Sequence, residues 1–156
     1  LVSIDTLSDV LRTVRLRGAV FYYVSCGEEW AAAAPPARDI ADAVFPGVDH
    51  VMEYHVALKG DCWAALAGQP PVRLRPGDIV AFPHGDAHAL TSGPDVRVAP
   101  SDAAWFYETR NVPKPMPLTY HGVEAFSVEW PAAESRTNVV CGFFGCDARP
   151  FNPLIA

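Results

Sequence analysis

The segment Gly77-Asp78-Ile79-Val80-Ala81-Phe82-Pro83-His84-Gly85-Asp86-Ala87-His88 constrains this chain more than any other. On a helix, His84 and His88 would share one face. Pro83 has no amide donor, Gly85-Asp86 favours a turn, and Ile79 to Phe82 is a β-branched and aromatic run of strand length. The segment therefore reads as a strand, a tight turn and the start of a second strand, with a histidine just past the turn.

The same texture recurs. Short apolar or alternating runs at 19–26, 50–59, 62–66, 71–75, 78–82, 88–91, 96–99 and 138–144 read as strands, and most of the 15 prolines and 11 glycines fall between them. Many short strands with such punctuation build a sandwich or a barrel. Residues 5–17 differ: Leu7, Val10, Leu11, Val14 and Leu16 recur at helical spacing, Asp5 or Ser8 can cap, and Arg12, Arg15 and Arg17 form a solvated edge. That predicts one short N-terminal helix. Ala31 to Phe45 reads as a loop followed by one helical turn. Residues 101–136 are Pro-rich and poorly patterned, which predicts a loop or insertion lying across the barrel.

With 156 residues, half of them hydrophobic, the chain can bury one core, so 1–156 is expected to be a single all-β domain. A formal charge of −6 is the wrong sign for gripping nucleic acid phosphates. No apolar run approaches the roughly 20 residues that span a bilayer, and no signal-like region opens the chain. The expectation is a cytoplasmic protein with no membrane contact, and the start at Leu1 suggests a piece of something longer. In that compartment Cys26, Cys62, Cys141 and Cys146 are expected as reduced thiols.

The segment from Gly77 to His88 resembles the second conserved motif of the cupin superfamily: glycine, five residues, proline, any residue, glycine, two residues, histidine. Glu53, seven residues before Gly60, matches the spacing of the first motif, although the two histidines that precede that glutamate in catalytic members are absent here. The stretches Asp5 to Tyr22, Tyr54 to Trp63, Arg75 to Leu90, and Asn138 to Asp147 with Phe151 to Leu154 further resemble the cupin-type N-terminal sensor domain of AraC-type transcriptional regulators. The resemblance implies a double-stranded β-helix, the jelly-roll cupin barrel. It implies a small-molecule effector, homodimerisation, and DNA contact only through a C-terminal helix-turn-helix region absent from this chain. That region would have been removed, or the chain would be a stand-alone relative.

Glu53 and His55, two apart on a strand, share a face. If that face is inward, His55, His88 and Cys141 form a three-ligand set that suits zinc, with copper or iron as other transition metals, and that leaves an open position. The resemblance supports the same three positions. Glu53, His84 and Cys146 are additional ligand or pocket residues, although His84 occupies the unconstrained motif position and is expected to face solvent. Cys26 is a candidate redox thiol provided it is accessible and of lowered pKa. Loss of the usual three-histidine, one-glutamate set weighs against dioxygenase or isomerase chemistry, leaving a stand-alone metal-dependent cupin enzyme as the alternative to the sensor.

Overall fold

The computed structural model describes residues 5–13 and 15–147. Val14 and the stretch Phe151 to Leu154, used above, lie outside the described residues.

The chain runs α1 (Thr6–Thr13), β1 (Arg17–Cys26), β2 (Ala31–Ala34), α2 (Ala37–Val44), β3 (His50–Lys59), β4 (Cys62–Leu66), β5 (Val72–Leu74), β6 (Ile79–Phe82), β7 (His88–Thr91), α3 (Ala104–Glu108), β8 (Met116–Tyr120), β9 (Phe126–Ser127) and β10 (Thr137–Cys146). The strands form a six-stranded sheet, β6-β3-β10-β1-β8-β9, facing a four-stranded sheet, β2-β7-β4-β5. This is the β-barrel that the strand pattern predicts.

Glycines carry the chain between the two sheets. Gly60, at φ +69°, joins β3 of the larger sheet to β4 of the smaller; Gly77, at φ +95°, joins β5 to β6; Gly85, at φ +68°, joins β6 to β7. Backbone in this left-handed region is cheap only without a Cβ. Gly60 is the most constrained, because a Cβ there would strike the Arg136 carbonyl and lie 2.9 Å from Thr137 Oγ1. Gly60→Ala is therefore expected to cost at least about 2 kcal/mol of unfolding free energy, read from urea melts. A loss below about 0.5 kcal/mol would contradict this account of the turn.

The centre of the larger sheet is β10, antiparallel to β1 on one side and to β3 on the other. Its inward residues Val139, Cys141 and Phe143 are buried, and Phe143 meets Phe21 edge-on at 5.0 Å between ring centroids. The core also takes in Trp30, and Ile40 from the buried face of α2.

Several expectations need correction. The N-terminal helix stops at Thr13, and Arg17 already belongs to β1. Ala31–Ala34 is a strand rather than a loop: pairing with β7, from Ala31↔Thr91 to Ala34↔His88, overrides the weak β preference of alanine. The single helical turn that follows is the eight-residue α2. Residues 96–99 form no strand; Pro94 and Pro100 flank them, and the Arg97 side chain donates to the local carbonyls of Pro94 and Val96. The 101–136 region is no mere insertion. Its β8 alternates buried Met116, Leu118 and Tyr120 with half-buried residues and pairs in parallel with β1, with Tyr22 opposite Met116.

Candidate metal centre in the barrel

Strand alternation turns Glu53, His55 and Ala57 of β3 inward, and all three are buried. Register then fixes their neighbours: Phe143 opposes Glu53 and Cys141 opposes His55 on β10, while Phe82 opposes Glu53 on β6. His88 enters from the other sheet, first residue of β7, paired with Ala34 and Leu66. The turn at Gly85 delivers it there. The two imidazoles thus face each other across the barrel, with Nε2 atoms 2.7 Å apart.

The hydrogen-bond chain assigns the protons. His88 Nδ1 lies 2.9 Å from the Asp86 carbonyl, which can only accept, so the His88 proton sits on Nδ1 and Nε2 keeps its lone pair. His55 Nε2–H then donates to His88 Nε2. That leaves His55 Nδ1 as acceptor of the Cys141 thiol, 2.8 Å away. The Phe82 ring stacks on His88 at 3.7 Å and holds its plane.

Charge states agree with this chain. Burial pushes His88 down to about 4, against an opposing pull from Asp86, and pushes His55 well below 6.5, with His88 adding to the effect. Burial raises Cys141 well above 9.0, reinforced by Glu53. Glu53 is raised by burial to about 8. Its oxygens stand 3.5 Å from His55 Nε2 and 3.7 Å from His88 Nε2. With neutral imidazoles and a protonated carboxyl near pH 7, these approaches are not ion pairs.

The donors of Glu53, His55 and His88 all lie within 4.8 Å of one another, and all three residues are buried. Among the described residues, Glu53 Oε2 has no hydrogen-bond partner. An orphaned carboxylate oxygen beside two imidazole Nε2 atoms fits a transition metal ion, and two nitrogens with one oxygen suit zinc or iron(II). Were His55 to hold a metal ion through Nε2, its proton would sit on Nδ1, facing the Cys141 sulfur 2.8 Å away. Such an outer partner orients a ligating imidazole.

The structure brings His55, His88 and Cys141 to one buried chain of contacts, and of the additional residues read from the sequence it places Glu53 beside the two imidazoles. Cys141 meets the opposite ring nitrogen of His55, so an ion held by both Nε2 atoms is out of its reach. His84 is exposed at the β6–β7 turn, away from this group. Cys146 is buried at the far end of β10, opposite His50. Cys26 is buried as well, and burial followed by the neighbouring Cys62 pushes its thiol pKa up, the reverse of what a redox thiol needs. Of the two remaining histidines, His121 is exposed, and half-buried His50 donates from Nε2 to the Pro83 carbonyl at 2.6 Å.

A cavity of about 120 Å³ opens beside the group. Trp30, Trp105, Tyr120 and Phe126 wall it, together with Leu118 and Glu124. Apart from Trp30, these residues come from 101–136, the region whose sequence carried the least pattern. The alternation of Met116, Leu118 and Tyr120 was the one usable signal.

A two-sheet β-barrel with inward histidines and a carboxylate beside an interior cavity has the architecture of a cupin. The chain belongs to the cupin family, whose model, described as Cupin, matches residues 5–156. Among curated proteins none matches. Solved structures similar to it include a protein of unknown function from Rhizobium leguminosarum bv. viciae 3841, at 10% identity and TM-score 0.33, aligned over 76% of this chain and 61% of that one. Another is the cupin domain of Cnp3 from Schizosaccharomyces pombe, at 9% identity and TM-score 0.37, over 85% of this chain and 66% of that one. The chain thus spans less than two thirds of either structure.

The buried group makes stability depend on pH with a defined sign. Glu53 is raised from 4.5 to about 8, so across that window the folded chain holds a proton that the unfolded chain releases, and stability from this group is lost as pH rises. The histidines act oppositely: below 6.5 the unfolded chain binds two protons that the folded chain refuses, so acid destabilises. Two outweigh one. The metal-free protein is expected to be most stable near pH 6.5, its melting temperature falling on both sides between about pH 4 and 9. A profile rising steadily to pH 9 would contradict these assignments. Metal affinity should rise about tenfold per pH unit from 6.5 to 8, as one Glu53 proton is displaced.

Among the described residues, no helix is long and apolar enough to cross a membrane.

Proposed function

We propose that residues 1–156 act as one cupin domain, the effector-binding and dimerisation unit of an AraC-type transcriptional regulator, with zinc or another transition metal held by Glu53, His55 and His88. The effector would occupy the adjoining cavity and shift the balance between two arrangements of the dimer. DNA contact would belong to a helix-turn-helix region outside this sequence.

One observation carries this reading: the metal-capable group opens onto a cavity walled mainly by apolar and aromatic side chains, among them Trp30, Trp105, Leu118 and Phe126, which suits enclosure of a small molecule. Two imidazoles and one carboxylate are, however, also the donor set of iron(II) oxygenases, and this favours the alternative of a stand-alone metal-dependent cupin enzyme.

Two measurements on the full gene product separate the readings. A sensor changes its DNA affinity by about tenfold when a chelator strips the metal or an effector is added, and it consumes no oxygen when loaded with iron(II). Sustained oxygen consumption with unchanged DNA affinity would favour the enzyme.

A further inference from the structure

The cavity beside the metal-capable group is selective in size, charge and hydrogen bonding. Its volume is about 120 Å³, close to the roughly 150 Å³ of an engineered protein cavity that takes up benzene. It therefore has room for one six-membered ring and not for two fused rings. Trp105, Tyr120 and Phe126 offer ring faces and edges to such a guest. Among the described residues no lysine or arginine lines it, while Glu53 and Glu124 do. A carboxylate ligand would be buried there without a cation to pair it.

The hydrogen-bonding demand comes from Trp30. This residue is 1% exposed and lines the cavity, and among the described residues its buried indole Nε1 has no hydrogen-bond partner. An indole nitrogen can only donate, so the missing group is an acceptor. A protonated amine offers none. A hydroxyl offers one, and it can also donate to a carboxylate.

We infer that the cavity binds an uncharged single-ring aromatic molecule bearing a hydroxyl, a phenol or simple aryl alcohol, whose oxygen accepts the Trp30 indole N–H. This rests on the reading of the barrel as an effector site and names the chemical class of the effector. The ring fills the aromatic walls, and the hydroxyl satisfies the one buried donor left open.

The test titrates chelator-treated protein with phenol, benzene, benzoate and 2-naphthol, following heat or tryptophan fluorescence, so that no metal supplies the affinity. Phenol should bind about tenfold tighter than benzene, the gain of one buried hydrogen bond. Benzoate should bind at least about tenfold more weakly than phenol, since its charge would be buried with no cation in the lining to pair it, and 2-naphthol should not bind. Trp30→Phe keeps a ring and removes the donor, and should bring phenol and benzene to within about twofold. Should that variant fail to fold, the wild-type protein still decides: its most slowly exchanging indole N–H resonance should move downfield with phenol and not with benzene. Benzoate binding as tightly as phenol, or 2-naphthol binding more tightly, would overturn the ligand class while leaving an effector site in place. Silence from all four compounds, with zinc taken up again when it is added back, would overturn the ligand class and spare the metal reading. Loss of zinc binding too would end both.

Discussion

Replacing His88 with alanine is expected to take bound metal from about one ion per chain to less than a tenth of that, the largest effect of any single change at the centre. His88 is the only donor of the group supplied by the four-stranded sheet, and its lone pair is aimed inward by the Nδ1 bond to Asp86 and the stack on Phe82. Without it, one imidazole and one carboxylate remain, too few for tight binding. Cys141→Ser should behave differently. It alters the partner of His55 Nδ1 and leaves the three donors in place, so affinity should weaken only by about tenfold, the usual range for an outer hydrogen-bond partner. Elemental analysis and competition with a chromogenic chelator read both. Metal retained in full by His88→Ala, or abolished by Cys141→Ser alone, would contradict the placement of the donors.

The largest loss of stability is expected at Phe143→Ala, about 3–5 kcal/mol, with a fall in melting temperature of about 10 °C. Phe143 is wholly buried at the centre of the larger sheet, between Ala19 on β1 and Glu53 on β3, and packs edge-on against Phe21. Truncation leaves a void that strands hydrogen-bonded on both sides cannot collapse to fill. Because Glu53 sits directly across from it, the same change should loosen the metal group. Phe143→Leu, which keeps most of the volume, should cost about 1–2 kcal/mol. A loss below about 1 kcal/mol for the alanine variant would mean that β10 does not form the centre of the core.

Strong local patterns made much of this legible beforehand. The runs at 50–59, 62–66 and 88–91 match β3, β4 and β7 to the residue, and Gly60 and Gly77 sit at the turns between sheets. What stayed hidden depended on partners distant in sequence. Four alanines carry no strand signal until β7 lies beside them. The strand Met116–Tyr120, with Pro117 inside it, reads as broken until β1 supplies a parallel neighbour. The site divides in the same way. Motif spacing and alternation pointed His55 and His88 inward, and both are buried side by side. Which ring nitrogen of His55 faces Cys141, and which faces Glu53, depends on ring rotation and on a proton fixed by the Asp86 carbonyl through His88. The relative placing of Cys141 and Glu53 about His55 is therefore set by three-dimensional contacts and not by spacing along the chain.

X-ray absorption at the zinc edge of the loaded protein tests the donor set directly. The account predicts a first shell of nitrogen and oxygen at about 2.0–2.1 Å with the outer-shell signature of two imidazoles. A sulfur shell at about 2.3 Å, or the scattering of fewer than two imidazoles, would contradict it.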